Sequence, residues 1–290
     1  MVASSIDVIV IGAGPAGLTV AANTARAGFK TLCLDKLAPG GALINLGELH
    51  EISRSASGAD MAAQLMDQAA AAGAEIAFGE VTGIHGNGAW TVCTASGESH
   101  TSRALVIATG LNKGHLGLPD EDVFEGRGIS HCATCDGPLY SGLPVVVAGA
   151  GGWAPFEARE LTGLGGKVTV VDATEGEMPD GIDRLKGRIV ALSGVNGLES
   201  VTVEADGARK TIPAKAVFVY VGQSPAAEFL ADLLARDASG HIVVDEEGRT
   251  SAPTVFAVGD VRAGARPYLS DAIADGERAA KAIVAILKTI

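Results

Sequence analysis

The chain is written twice, and that self-similarity constrains its fold more than any other feature. Val8-Ile-Val-Ile-Gly12-Ala-Gly14-Pro15-Ala16-Gly17 near the start returns as Val145-Val-Val-Ala-Gly149-Ala-Gly151-Gly-Trp153-Ala154. Gly28-Phe-Lys30-Thr-Leu-Cys-Leu-Asp35 returns as Gly165-Gly-Lys167-Val-Thr-Val-Val-Asp172. The offset is 137 residues throughout. Each copy reads as a β-branched strand, a G-x-G-x-x-G/A turn, a helix and a second strand ending in an acid. The acid follows the second glycine by 21 residues in both copies. These parts suit a dinucleotide: the glycines let the backbone approach a pyrophosphate, the helix N-terminus offers N–H donors, and the acid accepts from ribose hydroxyls.

The repeat continues with a different spacing. Ala104-Leu-Val-Ile-Ala108-Thr109-Gly110 closes the first copy and Ala216-Val-Phe-Val-Tyr-Val-Gly222 the second. Asp35 and Ala104 are 69 residues apart, Asp172 and Ala216 only 44, so the second copy is 25 residues shorter in its middle. The shortening predicts the loss of a helix and a strand. The tail returns to the first copy through a strand ending in Gly259-Asp260 and an amphipathic helix over 270–287, apolar at Ala272, Ile273, Ala280, Ile283, Val284 and Leu287. The expected fold is α/β: two doubly wound dinucleotide-binding modules, the second inserted into the first. The first covers 1–113 plus 244–290 and the second 114–243.

Charge and hydropathy remove other classes. The 290 residues carry a net charge of −12, which repels phosphate backbones and argues against nucleic acid. No apolar run reaches the ~18 residues of a membrane span. The N-terminus lacks a basic region and runs directly into the glycine turn, so it is read as a strand and not as a signal peptide. A reducing cytoplasmic compartment is expected.

There, Cys132-Ala-Thr-Cys135-Asp136-Gly is read as catalytic or metal-binding before structural. A metal half-site needs a second ligand pair, and none is evident, so no metal is expected. A redox dithiol fits better, because two thiols at this spacing close easily and the first can have a lowered pKa. Asp136 has two readings: a proton shuttle for a thiolate or flavin, or a cap for a helix starting near Gly137-Pro138. His131 could stabilise a thiolate as a nearby cation, or could be a solvated turn residue. Cys33 and Cys93 are read as core packing.

With these motifs in place the chain resembles the low-molecular-weight thioredoxin reductases over nearly all of its length. The resemblance rests on Gly12 to Gly17, Gly40-Gly41, Ala108-Thr109-Gly110, Leu116 to Gly128, Cys132 to Gly137 and Phe256 to Asp260. It implies FAD in the first module, one per chain. The cofactor would be held by Gly12, Gly14, Pro15, Ala16, Gly17, Asp35, Gly40, Gly41, Ala108, Thr109, Gly110, Gly259, Asp260, Tyr268 and Leu269. It implies that Cys135 faces the flavin while Cys132 attacks the substrate, a thioredoxin-like protein or a small dithiol or disulfide. It also implies a homodimer and a twisting motion between the modules.

The departures from the family gather at the electron donor. Where relatives carry a His-Arg-Arg run for the 2′-phosphate of NADPH, this chain reads Asp172-Ala-Thr-Glu-Gly-Glu177. Carboxylates without an arginine repel a phosphate, so NADPH is disfavoured, while Asp172 alone suits the ribose of NADH. Gly149, Gly151, Trp153, Ala154 and Asp172 form a second nucleotide site whose ligand stays open, another flavin nucleotide included. Trp153 either packs on the surface or stacks on a ligand ring. A family Asn-Trp-Pro-Gly segment is replaced by Glu51-Ile-Ser-Arg54, and an Arg-Gln pair by Pro267-Tyr268, where Tyr268 covers the flavin or packs at a helix start.

The leading expectation is an FAD-dependent disulfide oxidoreductase with an atypical donor such as ferredoxin. The alternatives are an NADH- or NADPH-dependent reductase, a dithiol oxidase using oxygen, and a flavin-binding redox sensor without turnover. The oxidase is weakened because no histidine follows His241.

Overall fold

The computed structural model describes residues 6–46, 57–151, 154–174 and 180–289. The chain divides into two compact units. The first comprises 1–44, 48–112 and 224–290, and the second 45–47 and 113–223.

The first unit opens with β1 (Ile6–Ile11), α1 (Pro15–Arg26) and β2 (Thr31–Asp35). The β-branched residues of β1 are buried from Val8 to Ile11, as expected of a central parallel strand covered on both faces. Pro15 stands at the start of α1, where its missing N–H costs nothing. Helix α2 (Gly58–Ala71) begins with a capping box, Ser57 Oγ accepting from Asp60 N at 3.1 Å while Ser57 N donates to Asp60 Oδ2 at 3.3 Å. Then come β3 (Glu75–Phe78), β4 (Val81–Gly86), β5 (Trp90–Thr94) and β6 (Ser99–Ile107). The strand order is β3-β2-β1-β6-β5-β4. Strand β6 changes partner along its length: its first half pairs antiparallel with β5, its second half parallel with β1.

The second unit carries α3 (Glu121–Phe124), β7 (Ile129–Ser130), α4 (Ala133–Asp136), β8 (Pro144–Ala148), α5 (Ala154–Gly163) and β9 (Lys167–Asp172). It continues with β10 (Asp183–Lys186), β11 (Arg188–Ser193), β12 (Ser200–Ala205), β13 (Ala208–Pro213) and β14 (Ala216–Val219). One sheet has the order β10-β9-β8-β14-β7 and the other β11-β12-β13. Apolar clusters pack on both faces of the five-stranded sheet, one around Val146, Val217 and Val219 and the other around Val147, Val170 and Phe218.

One expectation about this unit is corrected. Among the described residues, the shortening removes a helix but no strand. The interval from Asp35 to Glu75 holds α2, whereas that from Asp172 to Asp183 holds no helix among the described residues, and β10 still pairs parallel with β9. The work done by β6 alone is also divided here between β13, antiparallel to β12, and β14, parallel to β8. The break falls at Pro213-Ala214-Lys215, where proline cannot donate to a ladder.

The chain then re-enters the first unit at Ser224, ahead of the return expected at 244. The reason is packing: Ala227, Leu230, Leu234 and Ile242 are buried in the same cluster as Ile9, Leu105 and Trp90. Strand β15 (Val255–Ala257) adds to β6, and α6 (Leu269–Leu287) packs on α1. Fully buried Trp90 ties the meander to this tail, its Nε1 donating to Pro253 O at 3.1 Å and Thr254 Oγ1 at 3.0 Å.

Candidate active site

The first fingerprint forms a turn that only glycine permits at two points. Gly12 has φ of 104°, and a Cβ there would lie 2.3 Å from Ala108 O. A Cβ on Gly17 would lie 2.0 Å from Gly12 O. Gly14, the N-cap of α1, has open space before it and no side-chain cap on the helix. That leaves first-turn N–H groups available to an anion, which is the cradle a pyrophosphate requires. Gly40 and Gly41 lie beside this turn: Gly40 N donates to Ala13 O at 2.7 Å, and a Cβ on Gly41 would stand 3.2 Å from Gly14 Cα. Asp35 ends β2 with both oxygens engaged by backbone, Oδ2 accepting from Ala13 N at 2.7 Å and Oδ1 from Leu37 N at 2.8 Å. The carboxylate therefore fixes the turn, and each oxygen keeps a lone pair for a ribose hydroxyl.

The segment after β6 is held from the returning chain, with Thr109 Oγ1 donating to Ala226 O at 2.6 Å and Ala226 N to Gly110 O at 3.0 Å. Gly259 and Asp260 lie beyond β15, and a Cβ on Gly259 would stand 3.1 Å from Ala16 Cβ. Burial, and then the Asp275 charge, push the Asp260 carboxyl above its usual range. Tyr268 is 45% exposed with the Arg266 guanidinium 5.9 Å from its ring centre, while Leu269 is buried at the start of α6. These residues fit a flavin dinucleotide at the first turn.

Sequence reasoning missed the group that holds Gly259. Asp275 on α6 is 5% exposed; its Oδ2 accepts from Gly259 N at 3.3 Å, and the Arg262 fork reaches both oxygens, Nη2 to Oδ1 at 2.8 Å. Arg278 joins them. The signal was a charged residue on the buried stripe of α6, beside Gly276 and Ala279.

In the second unit Cys132 and Cys135 form a disulfide with Cα atoms 5.4 Å apart. Cys132 is buried and caps α4, its Sγ accepting from Cys135 N at 3.0 Å, while Cys135 is exposed. Asp136 makes no capping bond toward Gly137; its Oδ2 accepts from Ser130 Oγ at 2.7 Å, and Ser130 Oγ accepts from Cys132 N at 3.2 Å. His131 is not a solvated turn residue. Its side chain is largely buried, Nε2 lies 3.0 Å from Glu125 Oε1, and Nδ1 has no hydrogen-bond partner among the described residues. Cys33 is packed in the core, which pushes its thiol far up, whereas Cys93 of β5 is only half-buried, near Ser99 of β6. Both belong to the first unit, and the disulfide to the second. Among the described residues no group of three or more His, Cys, Asp or Glu converges on a metal position.

Two carboxylates absent from the sequence expectations hold the residues between the cysteines. Glu157 Oε2 accepts from Ala133 N at 2.7 Å and from Tyr220 OH at 2.5 Å. Glu160, one turn further along α5, accepts from Thr134 Oγ1 at 3.0 Å. Burial pushes the Glu157 carboxyl up, with Tyr220 and Ala133 opposing. Burial and then Glu157 push the Tyr220 phenol up.

The second fingerprint repeats the first: Gly149 has φ of 109°, and Gly151 has open space before it. Ala154 opens α5, its N donating to Gly151 O at 3.1 Å. Trp153, the Glu51–Arg54 segment, Glu175 and Glu177 lie outside the described residues. Asp172 is buried, and its Oδ2 accepts from Thr174 N at 2.8 Å and from Arg184 Nη2 at 3.3 Å. The expectation of carboxylates without an arginine is thus corrected. Arg184 comes from β10, which the parallel pairing lays beside β9, a neighbour the linear motif does not reveal.

The family profile described as pyridine nucleotide-disulphide oxidoreductase matches residues 6–285. A thioredoxin reductase of Listeria monocytogenes is 34% identical over 93% of this chain and 90% of its own. The solved thioredoxin reductase of Lactococcus lactis superposes with a TM-score of 0.92 at 30% identity, covering 99% of this chain and all of that one. A ferredoxin-flavin thioredoxin reductase from Clostridium acetobutylicum superposes at 0.56 with 25% identity, covering 98% of both. The paired glycine turns, the Cys132–Cys135 disulfide and these full-length likenesses agree, and the chain belongs to the low-molecular-weight thioredoxin reductase family of flavin-dependent disulfide oxidoreductases.

Proposed function

We propose that the chain reduces a protein or small-molecule disulfide through FAD and the Cys132–Cys135 pair, with a donor other than NADPH at the second fingerprint. The Asp172 cluster carries this reading. A buried carboxylate stands where a 2′-phosphate needs positive charge, and the neighbouring Arg184 is already paired to it. Among the described residues, the region after β9 also holds no counterpart of α2 in the first unit. The likeness to a ferredoxin-flavin thioredoxin reductase supports reduced ferredoxin as donor.

The first unit binds FAD through the Gly12–Gly17 turn, Gly40-Gly41, Ala108–Gly110, Gly259-Asp260, Tyr268 and Leu269. When bound, FAD supplies a two-electron relay between the donor and the disulfide. Once the pair is reduced, the Cys132 thiolate, favoured by the Cys135 N–H, attacks a partner disulfide and one partner sulfur leaves as thiolate. Cys135 then attacks Cys132 Sγ, re-forming the intramolecular disulfide and releasing the second partner thiol. Asp136, anchored by Ser130, carries the proton to the departing sulfur. The partner is an oxidised thioredoxin-like protein or a small disulfide, the compartment cytoplasmic and the assembly a homodimer.

The test is anaerobic mixing of the purified flavoprotein with NADPH, then NADH, then reduced ferredoxin, following flavin absorbance. The reading expects no rapid bleaching by NADPH and reduction by ferredoxin. Rapid bleaching by NADPH refutes it. Rapid bleaching by NADH alone assigns the donor site to Asp172 and its ribose chemistry.

A further inference from the structure

Glu157 does not touch either sulfur, yet it is the most deeply buried acid near the disulfide. It is 3% exposed, on the stripe of α5 that also buries Ala154, Ala158 and Leu161. A charged residue is seldom placed there unless paired. Its partners are the Ala133 N–H, one peptide unit from Cys132, and the Tyr220 hydroxyl at the end of β14. We propose that Glu157 is a positioning residue that, with Tyr220, holds the loop between the cysteines and sets the reduction potential of the Cys132–Cys135 pair. The proposal rests on the disulfide chemistry of the family and is independent of which donor reduces the flavin.

The physical argument concerns charge. Reducing the pair breaks the S–S bond and adds two electrons with two protons, or with one when Cys132 stays a thiolate. The Ala133 N–H would help stabilise that thiolate, but it is already committed to Glu157. A carboxylate in this poorly solvated place also repels the new anion. Both effects favour the disulfide, lower the potential and make the reduced pair a stronger donor to its partner. Tyr220 works the same way, since its O–H stabilises the charged form of Glu157. Glu160 makes a comparable bond to Thr134 from a half-exposed position, where water screens its charge.

Glu157→Gln separates charge from shape, because the amide oxygen can still accept from Ala133 N. The oxidised flavoprotein is equilibrated anaerobically with mixtures of reduced and oxidised dithiothreitol. The reagent gives up two electrons and two protons as it closes to its cyclic disulfide. Thiols at Cys132 and Cys135 are then trapped by alkylation and counted by peptide mass. Glu157→Gln is expected to shift the equilibrium constant toward the dithiol by about tenfold, or about 30 mV for a two-electron couple. Tyr220→Phe is expected to shift it the same way by twofold or more, and Glu160→Gln by less than twofold. A Glu157→Gln shift under threefold, or toward the disulfide, overturns the proposal. If that variant does not retain flavin, Tyr220→Phe decides, and a shift under twofold or of opposite sign is the refuting result.

Discussion

Replacing Asp275 with Asn tests whether the buried ion pair behind the Gly259-Asp260 turn organises the first unit. The side chain of Asp275 is 4% exposed and that of its fork partner Arg262 is 17% exposed. Asn keeps the shape and one acceptor but removes the charge, leaving Arg262 poorly solvated and unpaired. Breaking a buried pair from one side costs about 3–5 kcal/mol. Arg262 keeps its bond to Ala263 O at 3.0 Å, and Arg278 is half exposed, so the lower end, about 3 kcal/mol, applies. The one remaining oxygen must also be shared between Gly259 N and the Arg262 fork. For a unit of this size that corresponds to a fall in melting temperature of roughly 6–12 °C. Thermal unfolding is followed by the rise in flavin fluorescence on release, beside far-ultraviolet circular dichroism. A drop below 2 °C with flavin retained would falsify the claim that this pair anchors the turn.

Two further outcomes follow from the dithiol unit. Cys132→Ser should abolish turnover of a protein disulfide while leaving the flavin bound; full disulfide-reducing activity in that variant sinks the scheme. Glu157 also gives a pH signature. Its carboxyl is raised in the folded state, so the stability it contributes is complete below the ordinary value of 4.5 and is lost as pH rises through the folded value. The melting temperature of Glu157→Gln relative to the natural chain should therefore climb as pH increases from 4.5, then level off. A difference that is flat or falls over that range contradicts the assignment.

The parts legible in the sequence were those fixed by local geometry. Glycine turns, β-branched strands and a Cys-x-x-Cys spacing constrain their own neighbourhoods, so β1, α1, β2 and their counterparts β8, α5, β9 stand where the repeat put them. Partnerships made by folding were not legible. Arg184 reaches Asp172 because β10 runs parallel to β9, and Glu157 reaches Ala133 because α5 packs near α4. Glu157 and Asp275 still left a trace, each being a charge in phase with a helix's apolar stripe. The return of the chain at Ser224 was missed because 224–243 carry short irregular turns in place of a periodic element. Their apolar residues nonetheless complete the first core.

Helix α5 answers to two masters. It springs from the Gly149–Gly151 turn, and its glutamates grip the loop between the cysteines. A Cβ on Gly149 would stand 3.0 Å from the carbonyl of Tyr220, the same residue that shares Glu157. Packing against Tyr220 therefore demands glycine at 149 whatever the turn binds, whereas Gly151 has open space before it. Gly149 thus reports how the turn packs beneath the dithiol loop, and by itself it does not name the ligand the turn holds.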